Sequence, residues 1–318
     1  MPGTPSQSQE ISPYLQIAID VAITIWNVLV ALAIYLREAT VALVYNFAPL
    51  GLFKGKDVSG QTVLITGAAG GLGRALALRF STVGCRLVLW DRDEKGLKET
   101  AALCDRAGST NKLHIHVVDM CKRENIAEAA DKVRKEVGHV HILINNAGVG
   151  IGGKVLEIDE QAIITTMEVN CMSHFWMARA FLPEMIENGD GHVVSIASFG
   201  GFYVAAQDQV PYCTSKFAAV AIQQGLENEL ACIGKDFIKF TTICPFYFQS
   251  QLMNNLTTNP GYHVMTVDEV ADWTVNGILN ERALVIIPRE YYLRYAIRGL
   301  LPRSTIKRLT VTNFMNTR

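Results

Sequence analysis

Tyr212 and Lys216 stand four residues apart in the stretch VPYCTSKFAAV, residues 210–220. On a helix that spacing puts both side chains on one face. A phenol has an ordinary pKa of about 10 and is a poor acid or base at neutral pH. A neighbouring ammonium favours the phenolate, so the pair could serve as a general acid/base. The same spacing also arises on any exposed helix. The pair acquires meaning only from what the rest of the chain brings to it.

Residues 61–93 supply the first such context. TVLIT, 62–66, reads as a short buried strand, GAAGGLG as a turn, RALALRFSTVG as a helix and RLVLW, 86–90, as a second strand. This is a βαβ unit, which implies a parallel sheet. The turn holds Gly67, Gly70, Gly71 and Gly73 in the pattern Thr-Gly-x-x-x-Gly-x-Gly. Glycines let the backbone turn sharply and approach a ligand, and the helix N-terminus then offers N–H groups to a pyrophosphate. Asp91 follows the second strand, where an acid can accept hydrogen bonds from the adenosine ribose and repel a 2′-phosphate. The reading favours NAD over NADP, although the neighbouring Arg92 could pair with a phosphate.

The alternation continues to the end of the domain. LHIHVVDM (113–120), VHILINNAG (140–148), HVVSIAS (192–198), IKFTTICP (238–245) and ALVII (283–287) read as strands, with helices between them. The charged helix at 121–137 has apolar positions at helical spacing. The fold class is therefore α/β, a Rossmann-like doubly wound parallel sheet. Ligands bind such sheets at the C-terminal ends of the strands. Asp91, Asp119, Asn146, Ser198 and Pro245 all fall at such ends, and Tyr212 opens the helix that follows Ser198. Ser195 lies close to Ser198 in sequence and is the competing serine.

The chain has 318 residues and a formal net charge of −1, so nothing favours nucleic acid as a partner. Its seven cysteines are scattered singly, which excludes a Cys-x-x-Cys zinc site and fits reduced thiols. Residues 1–12 read as a polar tail lacking order and 13–53 as a membrane anchor. Within the anchor an apolar run at 13–36 is followed by a second at 40–53, divided by Pro49. Trp26 sits centrally in the first run, which is less typical of an interfacial belt. No Lys or Arg precedes the run, whereas Arg37, Lys54 and Lys56 follow it, which places the remainder in the cytosol. Residues 58–290 form one catalytic domain, and 291–318 a basic, aromatic, amphipathic extension suited to a membrane surface or to packing on its own domain. The triplet Asn255-Leu256-Thr257 is a glycosylation signal that goes unused in the cytosol.

Thr66-Gly67-x-x-x-Gly71-x-Gly73, Asn145-Asn146-Ala147-Gly148, Asn170, Ser198 and Tyr212-x-x-x-Lys216 together resemble the short-chain dehydrogenase/reductase family, over about residues 58–250. The resemblance implies Tyr212 as general acid/base and Ser198 as the group orienting the substrate oxygen. Lys216 would lower the Tyr212 pKa and hold the nicotinamide ribose, and Asn170 would hold a proton-relaying water. Gly67, Gly71, Leu72 and Gly73 would cradle the cofactor. Asp91 would bind its ribose, Asp119 its adenine, and Asn146, Tyr212, Lys216, Pro245 and Ser250 the remainder of the pocket. Three departures stand out. The loop between Ser198 and Tyr212 has one extra residue, Phe246 replaces the usual glycine after Pro245, and Ser250 replaces a threonine.

The apolar N-terminus with VLWDRD, KRENI, VRKEVG, MSHFWMARAFLPEM and CPF narrows the resemblance to membrane-bound retinol dehydrogenases and 17β-hydroxysteroid dehydrogenases. That branch implies a lipophilic alcohol, foremost retinol and retinal, with a steroid or other lipid alcohol as the alternative. It also implies the endoplasmic reticulum or a lipid droplet as the location, and a homodimer paired through long helices near 160–185 and 213–232. Phe246, Tyr247, Phe248, Leu252, Met253, Tyr262 and Met265 would form an apolar substrate lid or serve as ordinary packing. A catalytically silent membrane scaffold is the reading of another class, and the complete Asn-Ser-Tyr-Lys set argues against it.

Overall fold

The computed structural model describes residues 12–109, 111, 113–204, 208–250, 264–302 and 304–305. The polar tail apart from Ser12, the glycosylation triplet, Leu252, Met253, Tyr262 and half of the basic C-terminal end lie outside these residues. Two units are distinguished, 1–49 and 50–318, and each is described by itself.

The first unit is one helix, α1 (Pro13–Phe47), of 35 residues with none of its side chains buried. It is long and apolar enough to cross a membrane. At about 1.5 Å per residue it measures roughly 50 Å, more than the ~30 Å hydrocarbon layer requires. The first apolar run and the second as far as Phe47 are thus a single helix. Arg37 and Glu38 lie inside it and pair with each other at 3.0 Å, and no helix breaker intervenes. It stops at Ala48, whose extended backbone (φ −63°, ψ 142°) is the conformation favoured before a proline, here Pro49.

The second unit is a seven-stranded parallel sheet: β1 (Thr62–Thr66), β2 (Arg86–Asp91), β3 (Leu113–Val117), β4 (Ile142–Asn145), β5 (His192–Ile196), β6 (Lys239–Pro245) and β7 (Leu284–Ile287). The spatial order is β3-β2-β1-β4-β5-β6-β7, all neighbours parallel. The order reverses between β1 and β4, and that switch point opens a crevice at the strands' C-terminal ends.

Both faces of the sheet are covered, so β1 and β5 are buried at every residue. One face packs on α2 (Gly71–Thr82), α3 (Glu94–Arg106) and α8 (Val267–Leu279), through Leu76, Phe80, Leu97 and Ile278. The other packs on α4 (Arg123–Glu136), α6 (Ser173–Asn188) and α7 (Val210–Cys232), through Val133, Phe181, Met185 and Leu230. Each such leucine or phenylalanine contributes roughly 1.5–3 kcal/mol by burial. A short α5 (Glu160–Met167) runs into α6 through a single π-helical turn at 168–172, and α9 (Tyr291–Ile297) follows β7.

Candidate active site

The glycine turn is shaped by contacts that leave no room for side chains. Gly67 has φ +68°, and a Cβ there would stand 2.9 Å from Ala147 Cα. A Cβ on Gly73 would stand 2.1 Å from Gly67 O and 2.7 Å from Asn146 Nδ2. Asn146 itself donates from Nδ2 to Thr66 O (2.8 Å) and Gly67 O (3.2 Å). Thr66 Oγ1 accepts from the backbone N–H groups of Asn146 (3.0 Å) and Ala147 (2.9 Å). The ends of β1 and β4 are thereby tied across the switch point. Gly70 and Gly71 face open space instead, with nothing within 4 Å of an added Cβ. An empty-sided turn leading into a helix N-terminus fits the pyrophosphate of a dinucleotide.

A cavity of about 420 Å³ runs from this turn along the strand ends. Gly67, Gly71, Leu72, Asp91, Asp119, Asn146, Ser198, Tyr212, Lys216, Pro245 and Ser250 all line it. Eleven of the residues singled out from sequence thus meet in one crevice, despite spanning 67 to 250. Gly73 and Asn170 do not line it. Gly73 contributes by letting α2 touch the Gly67 carbonyl.

Asp91 lies at the turn end of the crevice. Its Oδ2 accepts from the Ala69 N–H (3.0 Å) and its Oδ1 from the Asp93 N–H (3.1 Å). Each oxygen keeps a lone pair for a ligand hydroxyl. Arg92 is exposed at the rim of the same cavity. The other basic residue of the turn, Arg74, is committed elsewhere. It donates to Thr100 Oγ1 (2.9 Å), Glu99 (3.0 Å) and the Ala69 carbonyl. That buttress was missed from sequence, where Arg74 reads only as the first polar residue of a helix.

The acid/base centre lies at the other end. Tyr212 and Lys216 share one face of α7, with Lys216 Nζ 5.8 Å from the Tyr212 ring centroid. The Tyr212 hydroxyl hydrogen-bonds Ser198, whose Oγ donates to Pro245 O (3.4 Å) and accepts from the Gly200 N–H (3.0 Å). Ser195 points away and contacts His174 Nδ1 at 3.4 Å beneath the sheet, so Ser198 is the serine at the cavity. Lys216 Nζ donates to Ile196 O at 2.9 Å.

The lowered phenol pKa expected from Lys216 is not what this arrangement gives. Burial pushes Tyr212 up to about 12, with the Ser198 hydrogen bond pulling against it. Burial also draws Lys216 down to about 8. Two buried thiols, Cys213 and Cys244, border the tyrosine, and burial raises both. They stay protonated at neutral pH and leave Lys216 the cation of the centre. Nothing in the spacing of the cysteines signalled this.

Asn170 sits in the π turn, fully buried. Its Nδ2 donates to Val149 O (2.8 Å) and Ser215 Oγ (3.0 Å), and its Oδ1 accepts from the Val149 N–H (2.8 Å). Both amide protons are used in pinning the loop after β4 to α7. A water held by this side chain would have only the second lone pair of Oδ1.

Just before the N-terminal ends of the central strands β4 and β5, ligand atoms of His139, His141 and Asp190 lie within 4.8 Å of one another. His141 Nδ1 accepts from the Thr62 N–H at 3.1 Å, so the neutral ring carries its proton on Nε2 and offers no lone pair there to a metal.

The profile of the family described as short chain dehydrogenase matches residues 61–261. Estradiol 17-beta-dehydrogenase 11 of Mus musculus is 39% identical over 249 residues, 78% of this chain and 82% of the relative. A short-chain dehydrogenase from Sphingobium yanoikuyae in complex with NADPH superposes with a TM-score of 0.66 at 29% identity, covering 76% of this chain and 94% of that one. One from Burkholderia phymatum in complex with NAD gives 0.67 at 25% identity, covering 77% and 95%.

Proposed function

The chain belongs to the short-chain dehydrogenase/reductase family, oxidoreductases acting on CH–OH groups with NAD or NADP, and from that premise we propose an NAD-dependent dehydrogenase of a lipophilic alcohol. Retinol and retinal are the preferred pair, and a steroid or other lipid alcohol is the alternative. The steroid alternative gains support from the name of the mouse relative, an estradiol dehydrogenase.

The assignment of roles follows from chemistry. Ser198 donates to the substrate oxygen and fixes it beside Tyr212. Tyr212 gives its proton to that oxygen in reduction and takes it in oxidation. Lys216 holds a positive charge beside the phenolate and donates to the ribose. Of the cavity-lining residues, Asp91 accepts from the adenosine ribose, Asp119 contacts the adenine and Ser250 bonds the carboxamide. Bound nicotinamide supplies the hydride acceptor or donor. Asn170 shapes the site by fixing the loop at Val149. Residues 13–53 anchor the chain in the endoplasmic reticulum membrane or on a lipid droplet, where such alcohols concentrate, with 58–290 facing the cytosol. Of the C-terminal extension, Tyr291 and Tyr295 pack on the domain itself, and two copies pair through α5, α6 and α7.

The observation that carries the cofactor choice is the Asp91 carboxylate at the cavity edge beside Ala69. A 2′-phosphate there would meet a like charge, which costs several kcal/mol when desolvated. Initial rates with NAD and with NADP test it. NAD is expected to be preferred, and Asp91→Ser is expected to move the preference toward NADP by at least about tenfold. An unmodified chain that prefers NADP would transfer the cofactor role to Arg92.

A further inference from the structure

Three aromatic residues reach one point beside Ser198 from the ends of three different strands. Phe199 follows Ser198 itself, after β5. Phe246 follows Pro245 at the end of β6, the residue whose carbonyl accepts from Ser198 Oγ. Tyr291 opens α9, after β7. Their rings contact one another, and Phe246 also meets the Tyr247 ring at 4.4 Å and 51°. Phe246 and Tyr291 lie 4.4 Å apart at 32°, Phe199 and Tyr291 4.9 Å apart at 82°, and Phe199 and Phe246 5.8 Å apart at 84°. The two edge-on contacts of Phe199 have the geometry that aromatic quadrupoles favour.

The three are not equivalent. Phe199 and Tyr291 are buried at 4% and 6% exposure and do not line the cavity. Phe246 is only half-buried, and it lines the cavity together with Ser198 and Tyr212. Its backbone is also fixed, since the Phe246 N–H donates to Ile287 O at 2.7 Å. Two buried rings therefore hold a third in place, and the third presents surface beside the group that would orient the substrate oxygen. Core packing alone would bury all three. A second contact, Phe202 with Tyr295 at 4.6 Å, fastens the next turn of α9 to the same wall.

We propose that Phe246, clamped by Phe199 and Tyr291, is a specificity-determining residue, and that its ring takes a flat, conjugated or ring-fused part of the alcohol close to the carbinol carbon. On this account α9 belongs to the substrate site through Tyr291. A preorganised aromatic surface rewards a ligand that stacks without bending, while a saturated chain gains only area. The inference rests on the lipophilic-alcohol reading above and narrows it.

The test compares estradiol, all-trans-retinol and hexadecanol as substrates of the full chain in bilayer discs with NAD. Phe246→Leu keeps an apolar side chain but removes the ring. It is expected to raise KM for estradiol and retinol about tenfold, and to change that for hexadecanol by about twofold. Tyr291→Leu, one contact further out, should shift KM in the same direction by a smaller factor. An equal loss on all three alcohols would mark the cluster as packing and overturn the inference. Turnover of hexadecanol alone by the unmodified chain would overturn it while leaving the lipophilic-alcohol reading intact. Turnover of none of the three would remove both.

Discussion

Tyr212→Phe is expected to lower turnover roughly a hundredfold to ten-thousandfold, the range lost when a positioned acid/base is removed. The ring stays in place, and only the hydroxyl that meets Ser198 disappears. Stability should therefore change by no more than about 1 kcal/mol, as judged by urea unfolding. The pH profile makes the assignment sharper. With its pKa pushed up to about 12, Tyr212 is a phenol at neutral pH and is ready to donate in carbonyl reduction. Alcohol oxidation needs the phenolate, so its rate should rise with pH, and the rise should vanish in the phenylalanine variant. Lys216, drawn down to about 8, loses its charge above that pH, and the gain should then flatten. The same depressed pKa has a stability consequence. Relative to the unfolded chain, the buried ammonium's cost is absent above about pH 10 and grows as pH falls toward about 8. A variant with the same turnover as the parent would remove Tyr212 from the chemistry.

Gly73→Ala should be the most damaging substitution in the glycine turn. The new Cβ would press on Gly67 O at 2.1 Å and Gly67 C at 2.8 Å. Backbone cannot rotate away as a side chain can, so α2 must separate from the turn. Overpacking of this kind costs about 1–3 kcal/mol, and the displaced turn should weaken NAD binding at least about tenfold. Gly70→Ala is the matched control. That residue has extended backbone, φ −165°, and nothing within 4 Å of an added Cβ. It should leave unfolding within about 0.5 kcal/mol of the parent. Denaturation together with titration of NAD fluorescence quenching checks both. Equal unfolding of the two variants would contradict the close contact at Gly73.

Much of this molecule is legible because its signals are local. Buried parallel strands are short apolar runs, and β1 and β5 begin where TVLIT and HVVSIAS begin. The crevice was legible because strand ends in a doubly wound sheet converge whatever their separation in sequence. What failed to show was set by tertiary contact. The π turn at 168–172 has no sequence period of its own, so Asn170 read only as a residue that would hold a water. The Tyr212 pKa followed from burial, which spacing does not report. Arg37 read as following the end of the first apolar run because charge suggested a boundary, whereas a helix continues until something breaks it. The meeting of Phe199, Phe246 and Tyr291 depends on the order of β5, β6 and β7, which no one segment contains.

The central claim is hydride transfer between a lipophilic alcohol and a nicotinamide cofactor in the crevice that holds Tyr212 and Ser198. The direct measurement is to incubate the full chain with NAD and an alcohol deuterated at the carbinol carbon, retinol first and estradiol second. The reduced cofactor is then weighed by mass spectrometry. Deuterium in the reduced cofactor, lost in Tyr212→Phe, is the predicted result. Reduced cofactor free of deuterium would contradict the claim. No reduction with either alcohol by a chain that binds NAD would remove retinol and estradiol, and another lipid alcohol or the silent membrane scaffold would then be the readings that remain.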